Sequence, residues 1–216
     1  MSVQAKICGV NSRVALDAAV GGGASHIGLV FYPPSPRSLT ADEAAPLARA
    51  ASGAVGRVGL FVDPSDEDLD RVTGKVPLDL LQLHGHESPD RVAAIRRRTG
   101  IAVMKAIPVA TAADLDAAAP YFHTVDRLLF DAKPPKDMKN ALPGGNALSF
   151  DWRLLAGRTW PLPWMLSGGL DPANVAQAIR ITGATAVDVS SGVELRPGLK
   201  DPARIDAFLS AVRRAG

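Results

Sequence analysis

Two short turns of glycine and serine carry the strongest chemical signal in the chain. Ser167-Gly168-Gly169 and Ser190-Ser191-Gly192 each directly follow a short apolar run. Glycine lets backbone N–H groups approach an anion, and a helix beginning there adds a favourable dipole, so Gly168, Gly169, Ser191 and Gly192 form a candidate phosphate cradle. Either turn alone would be no more than a place where the backbone needs positive φ. Cys8 is the single cysteine, and a lone cysteine is ordinarily a small buried hydrophobe. Lys6, two residues earlier and on the same side of a strand, is an odd neighbour for such a residue, and a nearby cation favours the thiolate. Asp131 closes the run Leu128-Leu129-Phe130 and precedes Ala132-Lys133-Pro134-Pro135, which does not begin a helix. Capping is therefore the weaker reading, and a proton donor at a strand end the stronger. Gln82 and His84 project together while Leu83 faces the other way; His84 reads as a group that orients substrate rather than as a catalyst. Ser35-Pro36-Arg37 presents a guanidinium on a stiff turn, a planar fork suited to a carboxylate, although an ordinary surface arginine would look the same.

Such residues act together only if a scaffold gathers them at one end. Apolar runs at 3–8, 26–31, 58–62, 78–83, 103–107, 127–130, 163–166 and 186–189 alternate with helical patterns such as 12–20, 41–51, 89–98, 174–181 and 202–213. That is the rhythm of β/α units around a parallel sheet. Thr40, Ser88, Thr111, Asp171 and Asp201 stand where helices should begin, with side-chain oxygens to cap free N–H groups, and Pro172 and Pro202 fit a first helical position. An open doubly wound sheet shares this rhythm. Eight units in 216 residues, with glycine turns after the last two strands, favour closure into a (β/α)8 TIM barrel, a single domain over 1–216. Every residue named above then lies at the C-terminal mouth, and closure sets strand eight beside strand one, so Lys6 is expected to pair with Asp188. The connection 132–148 is longer and more polar than the others and reads as a lid.

Composition narrows the partners. A chain with 47% hydrophobic and 21% charged residues and a net charge of +2 is an ordinary globular protein without a nucleic-acid footprint. The run Arg96, Arg97 and Arg98 reads as a solvated helix face. The first residues lack the apolar core of a signal peptide, and no stretch reaches the roughly 18 apolar residues of a membrane helix, so a cytoplasmic location and no membrane partner are expected. A lone cysteine and histidines 26, 86 and 123 at unsuitable spacing give no metal site, and no cofactor is expected.

In series, KICG at 6–9, FYPPSPR at 31–37, GLFV at 59–62, QLHG at 82–85, LLFD at 128–131, PGG and FDW within 143–152, SGGLDPANV at 167–175 and DVSSGVE at 188–194 resemble the phosphoribosylanthranilate isomerase family of tryptophan biosynthesis over nearly the whole chain. Two departures are visible: Ser167-Gly168-Gly169 stands where the family usually reads AGG, and Gly144-Gly145-Asn146-Ala147 where it reads GGTG. The resemblance implies Cys8 as general base, Asp131 as general acid and Arg37 as the contact to the anthranilate carboxylate. It further implies an Amadori rearrangement of N-(5-phosphoribosyl)anthranilate to 1-(2-carboxyphenylamino)-1-deoxyribulose 5-phosphate without a redox cofactor, the partner being a phosphorylated small molecule and the protein a monomer or homodimer. A related sugar-phosphate isomerase of histidine biosynthesis would need a strand-one aspartate where Cys8 stands. A non-catalytic phosphosugar-binding barrel would show a damaged acid or base position, and both are filled.

Overall fold

Along the first strand Ala5 and Ile7 face the helices while Lys6 and Cys8 face inward, and this period of two orders the whole sheet. The computed structural model describes residues 2–135, 137–138 and 142–216. Its parallel strands are β1 (Gln4–Cys8), β2 (His26–Val30), β3 (Gly56–Phe61), β4 (Leu80–Leu83), β5 (Ala102–Val109), β6 (Arg127–Ala132), β7 (Trp164–Leu166) and β8 (Ala186–Val189), joined in chain order as a closed barrel. The expected TIM barrel is thus the fold. Closure is made by β1 and β8 in the register Gln4↔Ala186 to Ile7↔Val189, which sets Lys6 beside Asp188.

Helices α1 (Arg13–Gly21), α2 (Ala41–Ala50), α3 (Asp66–Thr73), α4 (Pro89–Thr99), α5 (Val175–Thr182) and α6 (Pro202–Ala215) surround the sheet. Their apolar stripes pack on outward residues such as Ile7, Ile27, Leu83 and Phe130 to form the main core. Inside the barrel, Val58, Leu80, Met104, Leu129, Met165 and Ala186 make an apolar plug toward the N-terminal ends. Above it the interior turns polar. Thr40, Ser88 and Asp201 cap helices as expected, each side chain accepting from a backbone N–H of the first turn.

Four details differ from the sequence reading. Asp171 caps a turn, not a helix: its carboxylate accepts from Ala173 and Asn174 at 2.7 and 2.9 Å, and α5 begins only at Val175. After Thr111 the chain forms a 3₁₀ segment, Ala112–Tyr121, whose Asp114 carboxylate reaches back to the N–H groups of Ala110 and Thr111. Strands β5 and β6 each run two residues further than expected because they stay paired through Pro108↔Asp131 and Val109↔Ala132, so Asp131 lies within the sheet. A hairpin of β9 (Glu194–Arg196) and β10 (Leu199–Lys200) follows the eighth strand. Of the connection expected to act as a lid, 136 and 139–141 lie outside the described residues.

Lys6 is fully buried and its Nζ donates to Asp188 Oδ1 at 2.9 Å, as closure required. Removing one member of such a pair strands a charge in the interior, whereas removing both leaves none. Lys6→Met is expected to lower stability by about 3–5 kcal/mol, and Lys6→Met with Asp188→Leu to recover most of that loss. Urea melts of both variants check this; equal destabilisation by the single and double changes would show that the pair is not what holds the seam.

Candidate active site

Inward side chains at the C-terminal strand ends converge on one cavity lined by Cys8, Gln82, His84, Asp131 and Asp188, with Arg37 and both glycine turns at its edge. Cys8 owes its place to Gly28, its partner on β2. A Cβ on Gly28 would stand 2.9 Å from Cys8 Sγ and 3.2 Å from Lys6 Cε, so the missing side chain is the space the pair occupies. Asp188 holds Lys6 with one oxygen and accepts from Ser167 Oγ at 3.2 Å with the other. Burial alone would depress the Lys6 ammonium, but Asp188 and Cys8 outweigh it and keep it above the usual lysine range. Cys8 corrects a simpler expectation. Lys6 does pull the thiol down, yet burial, aided by Asp188, is larger, and the thiol lies above its ordinary value.

Across the mouth, Asp131 Oδ1 accepts the N–H of Ala132 at 2.9 Å while Oδ2 lies 3.2 Å from His84 Nε2. Gln82 Nε2 stands 2.9 Å from His84 Nδ1. With the amide nitrogen donating, Nδ1 is the acceptor, and the opposite ring nitrogen, Nε2, is the one that faces Asp131. Gly144 backs this pair: a Cβ there would meet Asp131 Oδ2 at 2.6 Å and His84 Cε1 at 2.7 Å. The neighbouring departure from the family pattern has a local function, since the Asn146 amide bonds both the N–H and the carbonyl of Leu142 and closes that turn.

Arg37 is neither a surface arginine nor a free fork. It is buried, and Nε and Nη2 each donate to Glu194 at 2.8 Å, with Nη2 also on the Gly145 carbonyl at 3.2 Å. Among the described residues Nη1 donates to no acceptor. Sequence reasoning missed Glu194 and Lys200, whose Nζ reaches Glu194 at 2.7 Å and the Ser190 carbonyl at 2.9 Å. The signal available was an acidic residue at the end of a glycine-serine turn and a Pro197-Gly198 pair of the kind that turns a hairpin, set between Glu194-Leu195-Arg196 and Leu199-Lys200. Burial works against ionised Glu194, but Arg37 and Lys200 prevail and hold its carboxyl below the usual range.

Gly168 and Gly169 have φ of 90° and 65°, and a Cβ would meet Ala132 N at 2.7 Å or Leu148 O at 2.8 Å. Both glycines are therefore demanded by the backbone itself, while among the described residues their N–H groups donate to no protein acceptor. Ser191 lines the cavity at the start of a 3₁₀ turn. Gly192 follows it, and a Cβ there would collide with the Leu170 carbonyl just after the first turn. Among the described residues no group of His, Cys, Asp and Glu is placed to hold a metal ion, and no helix is long and apolar enough to cross a membrane.

A family model described as N-(5'-phosphoribosyl)anthranilate (PRA) isomerase matches residues 5–211. The chain is 62% identical over 213 residues to N-(5'-phosphoribosyl)anthranilate isomerase of Paramagnetospirillum magneticum, covering 99% of this chain and 98% of that protein. The crystal structure of phosphoribosyl anthranilate isomerase from Thermotoga maritima superposes with a TM-score of 0.87 at 35% identity, covering 98% of this chain and 99% of that one. A structure of phosphoribosyl anthranilate isomerase in complex with reduced 1-(o-carboxyphenylamino)-1-deoxyribulose 5-phosphate matches with a TM-score of 0.83 at 34% identity, covering 98% and 99%.

The tight fit at Gly28 yields a test that leaves every polar group of the site in place. Gly28→Ala should displace the Cys8 thiol, lowering kcat and altering its alkylation rate by iodoacetamide, with a smaller effect on the melting temperature. Unchanged thiol reactivity together with unchanged kcat would show that the site has slack there.

Proposed function

The chain belongs to the N-(5'-phosphoribosyl)anthranilate isomerase family, and we propose that Asp131 and Cys8 carry out the two proton transfers of its Amadori rearrangement. Asp131 protonates the furanose ring oxygen as the C1–O bond breaks, and the ring opens to a Schiff base in which the C2 proton is acidic. The Cys8 thiolate takes that proton, and its electron pair forms the C1–C2 double bond of an enolamine that tautomerises to the ketose product. Both steps are proton transfers, so the scheme calls for no redox cofactor. The observation that supports it is the shared cavity: base and acid line one mouth from β1 and β6, with β7 and β8 between them, so they reach the substrate from different directions.

The remaining groups would orient the ligand. Backbone N–H groups at Gly168, Gly169, Ser191 and Gly192 would take the phosphate. Arg37 offers Nη1 to the anthranilate carboxylate. His84, held by Gln82, sets the rotamer of Asp131. This placement stretches the substrate across the barrel, with the reacting carbons between Cys8 and Asp131.

A direct isomerase assay with phosphoribosylanthranilate tests the assignment. Cys8→Ser and Asp131→Asn should each lower turnover by about 10²–10⁴-fold, the usual worth of one positioned acid or base, while a product analogue still binds. Near wild-type turnover in either variant would remove that residue from its role. The pH profile carries a second test. Cys8 acts deprotonated and burial raises its pKa, so kcat/KM should keep rising with pH beyond the ordinary thiol range, and a plateau reached well below that range would contradict the thiolate as base.

A further inference from the structure

The buried carboxylate of Glu194 is saturated in a way that specifies the orientation of Arg37. Oε1 accepts from Arg37 Nε at 2.8 Å and from Lys200 Nζ at 2.7 Å, and Oε2 accepts from Arg37 Nη2 at 2.8 Å. Lys200 is itself pinned by the Ser190 carbonyl at 2.9 Å. The hairpin that carries both residues is seated on the mouth: Gly198 at its tip lies against the Pro36 carbonyl, and Asn11 Nδ2 donates to the Gly198 carbonyl at 2.9 Å. Arg37 therefore has one edge of its guanidinium clamped by a residue 157 positions away, itself held by β10. Among the described residues Nη1 has no acceptor, which leaves it for a ligand.

We propose that Glu194, locked by Lys200, is a positioning residue that preorganises Arg37 for the substrate carboxylate. This rests on the assignment of Arg37 to that carboxylate and adds the group that makes it effective. An arginine on its long flexible side chain must be immobilised when an anion arrives, and the entropy lost then subtracts from affinity. With Glu194 in place that ordering has already occurred in the free protein. The carboxylate also brings a negative charge near the anion it helps to bind, so removing it tests orientation against simple charge.

The experiment measures binding of two ligands, reduced 1-(o-carboxyphenylamino)-1-deoxyribulose 5-phosphate and the same compound without its ring carboxylate, to wild type, Glu194→Gln and Arg37→Ala. Glu194→Gln is expected to weaken the carboxylated ligand about tenfold and to leave the other nearly unchanged. In turnover the loss should fall on KM, with kcat kept within a few-fold, as for binding lost equally from ground and transition states. Equal losses for both ligands, or tighter binding of the carboxylated one, would overturn the positioning role. If Arg37→Ala weakens both ligands equally, it is the carboxylate assignment of Arg37 that fails; if Arg37→Ala discriminates and Glu194→Gln does not, that assignment stands and this inference falls. Should Glu194→Gln not fold, Glu194→Asp withdraws the same charge by one methylene and is expected to show the same selective loss, its absence counting against the proposal.

Discussion

A lysine and an aspartate paired out of water at the seam of the barrel set the terms for the rest of the structure. Lys6 and Asp188 come from the first and last strands and meet only because the sheet closes. Taking two charges out of water carries a desolvation penalty of several kcal/mol per ion, offset only when the geometry is good and the remaining hydrogen-bonding capacity is used. Here Ser167 uses the second aspartate oxygen, and Gly28 leaves room for the lysine stem. The same pair forms the floor beneath Cys8. One ion pair thus fixes the β1–β8 register, separates the apolar plug from the polar mouth, and sets the field in which the thiol titrates.

That field works in two directions. Lys6 favours the thiolate, while burial and Asp188 oppose it more strongly. In the base role proposed for it, a thiol held in this balance would be scarcely ionised at neutral pH but more basic once ionised, a compromise between the fraction ionised and the driving force for taking a carbon-bound proton. On the other rim, Asp131 accepts the Ala132 N–H with Oδ1, and Oδ2 lies 3.2 Å from the Nε2 of His84, whose Nδ1 is paired with Gln82. Cys8 is flanked by Lys6 on its own strand and by Gly28 and Asp188 on the two adjoining strands, whereas Asp131 is flanked by Ala132 on its own strand and by His84 from the end of β4, two strands away.

The parts visible in the sequence were those with local signatures. Eight apolar runs, each bounded by turn residues, were enough for the strands, and the Lys6–Asp188 pair followed once closure was assumed. The capping residues at Thr40, Ser88 and Asp201 were visible for the same local reason. Glu194 and Lys200 were not, because β9 and β10 hold three and two residues, too few for a period of two to show, and because their partner Arg37 lies far away along the chain. The direction of the Cys8 shift was hidden too: the neighbouring lysine is legible in the residue order, but desolvation depends on what packs above and beside the thiol. The glycine turns read locally as an anion cradle, whereas the close backbone approach that also requires Gly168 and Gly169, to Ala132 and Leu148, is visible only in the fold.

The seam also bears on how the molecule comes into being. Lys6 and Asp188 are separated by 182 positions, nearly the whole length of the chain, and synthesis proceeds from the N-terminus. Throughout translation the ammonium of Lys6 lacks its counter-ion, and burying it in a barrel short of its eighth strand would strand the charge in an apolar interior. A barrel closed without its eighth strand would bury the Lys6 ammonium with no counter-ion, a penalty that the complete sheet avoids.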